Sequence, residues 1–300
     1  MSEITYVDRE TKEEKVEKVY GNGYLIFLYQ SNPLSWLLRA LFCKPPFFSK
    51  LYGSLQKKPS SKKKIAPFIE NYQVDTSEFL DPPDSFPTFN DFFIRKLKPS
   101  ARPIHNGNDE AVLPADGRYL VFDNIEREEG FLVKGKKFNL ETLLRNPKLA
   151  HKYAQGSMVM ARLAPVDYHR FHFPCHCTPS ETTPINGPLY SVNPIALRKN
   201  IQILAENKRV ITHLKTEHFG TVLFIEIGAT FVGSIHQTYA PDTPQAKGAE
   251  KGYFSFGGSC LILLFEPFRI QFTPDLLAAS HKKLETLGQM GQSLGRALSP

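Results

Sequence analysis

No stretch of this chain approaches the roughly 18 consecutive apolar residues that a helix needs to cross a bilayer, and the first fifteen residues, MSEITYVDRETKEEK, hold no apolar segment of the kind found in an export signal. Cysteine is scarce. Cys43, Cys175, Cys177 and Cys260 are too few and too unevenly spaced to form a disulfide framework. Together these absences lead to the expectation of a chain that is not exported. Internal repeats, a Walker-type phosphate loop and a dinucleotide fingerprint are also missing, so the common nucleotide-binding folds are excluded. Acid is missing locally as well: residues 19–69 contain no Asp or Glu, while Arg39, Lys44, Lys50, Lys57, Lys58, Lys62, Lys63 and Lys64 supply positive charge. The whole chain carries a formal charge of +7, which favours an acidic partner, either nucleic acid or an anionic membrane surface.

What is present is a globular composition, 41% hydrophobic over 300 residues, enough for one large core or two modest ones. Within the acid-free region, Leu34, Leu37, Leu38, Leu41 and Phe42 recur at the spacing of one helical face, with Pro33 suited to the first turn and Pro45-Pro46 to a stop. With Trp36, Phe47, Phe48 and the lysines, this reads as an amphipathic segment lying in a membrane interface. A helix packed on the protein body would show the same stripe. Residues 1–18 alternate acids and bases and read as a solvated helix or arm, and residues 57–64 as an exposed linker.

Residues 86–103 have a helix-like centre whose Phe89, Phe92 and Phe93 read as core. Beyond residue 109 short β-type runs dominate, at 112–113, 119–122, 131–133, 158–163, 189–192, 210–214, 222–227, 230–235 and 261–265, punctuated by Pro and Gly. Helices are expected at 139–144, near 196–206, and from Thr273 through Leu287 at the C-terminus. The fold class is α+β: a mainly antiparallel β body with an N-terminal helical membrane-associating region over 1–85 and a C-terminal helix.

Reactive groups concentrate in three places. Asp116 sits in the turn Pro114-Ala115-Asp116-Gly117, which by itself is a turn signal. Residues 164–177 (APVDYHRFHFPCHC) hold His169, His172, Cys175, His176 and Cys177, all competent zinc ligands, although the Cys-X-Cys has no second matching pair. Gly257-Gly258-Ser259 precedes the apolar run 261–265. It reads either as a turn into a buried strand or as a nucleophile beside an unshielded Gly258 carbonyl, in which case a histidine from 164–177 and Asp116 are the natural base and orienting acid. Three functions stay open on the residues alone: a self-processing enzyme at Ser259, a zinc-dependent hydrolase on the His169–Cys177 cluster, and a non-enzymatic basic module binding membranes, with no RNA-binding signature in favour of nucleic acid.

The ordered series FNDFFIRKLKPSARP, PADG, APVDYHRFHFP, NGPLYSVNP, Asn207-Lys208-Arg209, GATFVGSI and KGAEKGYFSFGGS, spread over residues 86–265, resembles the phosphatidylserine decarboxylases, pyruvoyl-dependent membrane enzymes made as self-cleaving proenzymes. Cys260 departs from the Ser or Thr usual in that family. The resemblance implies a charge relay of Asp116, His172 and Ser259 that cuts between Gly258 and Ser259. The products would be a β chain of residues 1–258 and an α chain of 259–300, paired as a heterodimer, within a decarboxylase domain of 86–300. It further implies a covalent pyruvoyl cofactor derived from Ser259 that forms a Schiff base with phosphatidylserine, releases carbon dioxide and gives phosphatidylethanolamine. His169 is the candidate for a role in decarboxylation, and no metal is implied. The expected location is peripheral, on the cytoplasmic face of the cell membrane, with an anionic surface as partner and no nucleic acid.

Overall fold

The computed structural model describes residues 3–19, 21–30, 32–42, 46–127, 139–229, 234–257 and 259–298. The strands are β1 Thr5–Asp8, β2 Glu14–Val16, β3 Glu110–Val112, β4 Gly117–Phe122, β5 Ser157–Leu163, β6 Arg170–His172, β7 Cys177–Pro179 and β8 Thr183–Ile185. They continue with β9 Arg209–Thr216, β10 Thr221–Gly228, β11 Ile235–Gln237, β12 Glu250–Phe254, β13 Ser259–Phe265, β14 Ile270–Phe272, β15 Glu285–Gly288 and β16 Ser293–Ala297. Helices α1 Asn22–Leu28, α2 Pro33–Phe42, α3 Pro46–Gln56, α4 Ile65–Tyr72 and α5 Phe89–Phe93 precede the main β region. Helices α6 Leu140–Leu144, α7 Pro147–Tyr153, α8 Pro194–Leu197, α9 Ile203–Glu206 and α10 Pro274–His281 interrupt it.

The organising feature is a sheet in the order β2-β1-β15-β4-β5-β13-β10-β9-β7, with β8 also on β9. Its pairings are antiparallel except for β1 on β15. The continuous apolar run of β13 is explained by burial on both faces. Alternate residues Cys260, Ile262 and Leu264 enter one core with Met158, Met160, Leu223 and Ile225, under helices α6 to α9. Leu261, Leu263 and Phe265 enter a second core with Leu163, Phe171, Phe224 and Phe254. Each such side chain contributes about 1.5–3 kcal/mol on leaving water, so the central strands are the most strongly held part of the chain. A third cluster gathers Phe68, Phe79, Phe86, Phe89, Phe92 and Phe93 around Phe256, confirming the aromatic core expected of residues 86–103.

The α+β class and the mainly antiparallel body are as expected, and several local expectations are corrected. The described part of the expected helix or arm, residues 3–18, forms neither: Thr5–Asp8 adds to β15, and Glu14–Val16 pairs with Thr5–Asp8 in turn. The segment 57–64 is not an exposed linker throughout, because Pro59–Lys64 winds into a 3-10 helix whose buried Ser61 hydroxyl accepts the Phe89 N–H. Residues 189–192 make no strand, since Asn207 takes both the N–H and the carbonyl of Tyr190, and the Tyr29 hydroxyl accepts the Ser191 N–H. The helix expected over 196–206 breaks into α8 and α9, where the Asn200 side chain accepts the Gln202 N–H and competes with helix continuation.

The C-terminal helix stops at His281, because Lys283 adopts a left-handed backbone (φ 60°) and the chain turns back as β15 and β16. The strand expectation at 131–133 and most of 230–235 fall outside the described residues, as do Cys43, Pro45 and Gly258.

The helical N-terminal region exists, and among the described residues no helix is long and apolar enough to cross a membrane. Of its stripe, Leu38 packs against the first core, while Leu34, Leu37 and Leu41 remain about half exposed and Trp36 is 64% exposed.

Candidate active site

Ser259 opens β13, facing Gly228 of β10 on one side and Leu163 of β5 on the other. It is completely buried, and its hydroxyl has no hydrogen-bond partner among the described residues. A buried hydroxyl left unpaired costs about 1–3 kcal/mol, so this serine weakens the fold where it stands. The approach to it is built from aromatic packing. Phe256 lies 4.9 Å from Phe93, 5.2 Å from Phe89 and 5.8 Å from Tyr52 between ring centroids, and Gly257 follows at φ 133°, a backbone state that side chains disfavour. Gly258, the other half of the expected scissile bond, lies outside the described residues. A cavity of about 130 Å³ abuts this segment, lined by Gly257, Leu163, Ala164, Arg162, Ser191 and Asn193, with Tyr24 and Leu25 of α1 at its edge.

His169 and His172 flank the core-facing Phe171, two residues before it and one after, and do different things. His169 is fully buried, stacks on Phe93 at 3.9 Å and places Nε2 2.9 Å from the Ala164 carbonyl. A carbonyl only accepts, so Nε2 carries the proton and Nδ1 keeps its lone pair, which has no partner among the described residues. Burial, reinforced by the Arg95 charge, pushes its pKa down to about 3, and the ring is neutral. His172 sits on β6, where the pleat sends Phe171 into the core that holds Leu163 and Leu261 and turns its neighbours the other way. Its Nδ1 is 2.9 Å from the Gly248 carbonyl and its Nε2 3.3 Å from the Tyr168 hydroxyl. Burial lowers its pKa, partly offset by the Gly248 bond and the charge of Glu250.

Asp116 stands at the start of β4, and the Pro114 carbonyl of its turn accepts the His172 N–H at 2.7 Å. The Asp116 carboxylate is held by Arg102, with Nε at 2.9 and 3.0 Å from its two oxygens and Nη2 at 2.6 Å, and by the Met290 N–H at 2.8 Å. The structure therefore joins Asp116 and His172 through backbone, whereas the side-chain bonds of a relay, Asp116 to His172 and His172 to Ser259, are not made.

The residues of the zinc reading do not converge. His169 is stacked on Phe93, His172 faces Tyr168, His176 is exposed, and Cys175 and Cys177 are buried in the second core. Burial pushes the Cys177 thiol up to about 12 and that of Cys175 well above its ordinary value, which disfavours the thiolate a metal needs. Among the described residues no group of three or more His, Cys, Asp or Glu side chains is arranged to hold a metal ion.

Other polar groups around the site were not legible in the sequence. Arg162 is held by Glu17 and Glu285, and Arg118 by Asp167, all nearly or fully buried. Lys251 is buried against Glu226 and accepted by Gln237 at 2.8 Å, with Phe224 and Tyr239 around it. Arg102 lies inside a recognised motif, but only its partners reveal what it does.

The phosphatidylserine decarboxylase family profile matches residues 89–296, a span containing Asp116, His169, His172 and Ser259. The chain belongs to the phosphatidylserine decarboxylase family. A Chlamydia caviae protein named phosphatidylserine decarboxylase proenzyme is 50% identical over 298 residues, 99% of each chain. Proteins of the same name from Chlamydia pneumoniae and Chlamydia muridarum are each 48% identical over 297 residues, covering 99% of this chain and 98% of the relative. The likeness thus extends through the N-terminal helices, beyond the family profile itself. The molecule is a decarboxylase, a carboxy-lyase of a family made as proenzymes. The Gly-Gly-Ser segment, the two histidines and the aromatic wall of Phe89, Phe93 and Phe256 all fall within the shared region.

Proposed function

We propose that this decarboxylase makes its own electrophile by cutting between Gly258 and Ser259, and then acts on phosphatidylserine at a membrane surface to give phosphatidylethanolamine. The observation that carries the reading is the Ser259 hydroxyl, fully buried without a partner directly after a glycine pair and beside a cavity. Such a hydroxyl contributes nothing to folding and has no structural reason to be retained.

In the cut, Oγ of Ser259 attacks the Gly258 carbonyl carbon as its proton leaves for a base, and the amide becomes an ester. Loss of the Ser259 Cα proton then breaks the Cβ–Oγ bond, which releases Gly258 as a carboxylate. Water replaces the resulting nitrogen as ammonia, leaving a ketone at position 259. His172 is the assigned base. Its Gly248 contact leaves Nε2 as the basic nitrogen, and it must exchange the Tyr168 hydroxyl for that of Ser259. Asp116 is the assigned acid beside it. The pyruvoyl group supplies an electrophilic ketone that draws electrons from the bond between Cα and the carboxylate of a bound serine amine. Position 259 suits it, since its backbone is fixed between two strands and its side-chain oxygen is unused. His169, neutral with a bare Nδ1, is suited to accept a hydrogen bond or manage a proton in a dry site.

Tyr24 of α1, 47% exposed, and Leu25 border the cavity, so a lipid can present its head group there while its tails stay in the interface. On this reading the mature enzyme is a heterodimer of residues 1–258 and 259–300, held peripherally at the cytoplasmic face of the membrane. Intact mass of freshly purified protein tests the proposal. Two fragments are expected, the smaller starting at position 259 with a blocked N-terminus, and Ser259→Ala should remain whole and release no carbon dioxide. A Ser259→Ala chain that splits normally would overturn it.

A further inference from the structure

We infer that Arg102, braced by Glu78, is a positioning residue for Asp116 during self-cleavage. The inference rests on the assignment of Asp116 to the relay and extends it to the residue that sets its geometry. The backbone around Asp116 is already fixed, because the Pro114 carbonyl is bonded to the His172 N–H and Gly117 begins β4. What remains free is rotation of the carboxylate; the Met290 N–H holds one oxygen, and Arg102, contacting both, fixes the plane. Its Nε and Nη2 contact both oxygens, and the same guanidinium reaches Glu78 through Nη1 at 2.8 Å and Nη2 at 2.9 Å. Nη1 also donates to the Ala101 carbonyl at 2.7 Å, so the planar fork is held at each end.

A second observation shows what happens without it. Asp116 and Arg102 line a cavity of about 210 Å³ together with Arg95, Asp167 and Tyr168. Arg95 is 4% exposed; its Nη2 donates to the Val166 carbonyl at 3.2 Å and its guanidinium lies over Phe79 and Phe92, but its Nε is buried without a hydrogen-bond partner among the described residues. It is a cation held by carbonyls and ring faces, facing the same space as the relay acid and bridged to no carboxylate among the described residues. A carboxylate released by Arg102 has Arg95 as its alternative partner, and turning toward it would draw the acid out of register with His172. Arg102 therefore selects one of two cationic partners for Asp116.

The test uses precursor made by cell-free translation, timed by gel for the cut and assayed for carbon dioxide release per titrated ketone. Arg102→Gln should lengthen the half-time of cleavage tenfold or more, while release per ketone formed falls less than threefold. Arg102→Lys, which keeps the charge and loses the fork, should lie between. A general scaffold defect would lower both readouts together. Glu78→Gln leaves the Arg102–Asp116 pair in place and removes only the brace, so it should slow the cut two- to fivefold and provides a reading even where Arg102→Gln does not fold. Cleavage of Arg102→Gln within twofold of wild type overturns the inference, as does a proportional fall in cutting and release, or an unaltered Glu78→Gln should Arg102→Gln be insoluble. Asp116→Asn, run alongside, separates the two levels: if it cuts normally, the relay assignment itself has failed, whereas a blocked Asp116→Asn with a normal Arg102→Gln removes only the role given to Arg102.

Discussion

The imidazole of His172 is anchored by the carbonyl of Gly248, 2.9 Å from Nδ1, and not by the carboxylate of Asp116. The carbonyl does for this ring what the acid does in a serine-protease triad: it accepts the Nδ1 proton, fixes the tautomer and leaves Nε2 basic. Gly248 itself has φ 79°, and a Cβ there would approach Ile104 to 2.6 Å, so the carbonyl is aimed by a turn that only glycine fits without strain.

The pH dependence of the cut follows from the burial of this ring. Burial lowers the His172 pKa below its ordinary 6.5, so the neutral, proton-accepting form persists into mildly acidic solution. The cleavage rate of freshly made precursor should be level at neutral pH and fall on acidification with a midpoint below 6.5. A midpoint above 6.5 in a pH-jump experiment would exclude His172 in this setting as the base.

His169 predicts a loss of stability on acidification. Its pKa is about 3 in the folded protein against 6.5 ordinarily, so the unfolded chain binds a proton in that window that the folded chain does not. Stability is complete above pH 6.5 and declines as pH falls toward 3, by on the order of 4 kcal/mol in all. His169→Gln keeps a donor for the Ala164 carbonyl and cannot titrate. Urea midpoints at pH 7 and pH 4 should show the variant somewhat weaker at neutrality, with a smaller drop on acidification. An equal drop in both proteins would mean that this ring is not the acid-sensitive group.

The parts of this molecule visible in the sequence are those set by local pattern. The run 261–265 reads as a buried strand from its composition, and 139–144 reads as a helix, which Asn139 caps by accepting the Thr142 N–H three residues on. Pairing across long separations was not visible. That Glu285 meets Arg162, or that Thr5–Asp8 adds to β15, depends on which surfaces the core brings together. At the site, ordered motifs singled out Asp116, His169, His172 and Ser259 as candidates. Their partners were not, because nothing in PADG or KPSARP says that the arginine of one motif holds the acid of the other. Lys251 was read only as part of a motif, and its burial against Glu226 needed the pairing of β12 with β6 and β11.

That buried pair supports a separate prediction. Lys251 and Glu226 are both wholly buried, and burial lowers the lysine pKa while the Glu226 charge opposes the shift. Removing one partner leaves the other charge unpaired in an apolar setting, at a cost of about 3–5 kcal/mol. Lys251→Met alone should therefore destabilise strongly, and adding Glu226→Gln should recover most of the loss. Chemical denaturation of the two variants checks this, and a double variant no more stable than Lys251→Met would show that packing, not charge pairing, dominates there.

The apolar helices give the last prediction. Leu37 and Leu41 lie one helical turn apart on α2 and are 47% and 49% exposed, so neither adds much to the folded core. Replacing both with serine should change stability by no more than about 0.5 kcal/mol each, the usual range for surface positions. In contact with a bilayer the same two side chains would each lose the transfer free energy of a leucine, about 1.5–3 kcal/mol when fully buried, and vesicle binding should weaken by tenfold or more. Co-sedimentation with vesicles containing anionic lipid, with thermal unfolding measured in parallel, separates the two effects. Undiminished binding by Leu37→Ser/Leu41→Ser would move the membrane contact away from α2, and a large fall in the unfolding temperature would mean that these side chains pack against protein in solution.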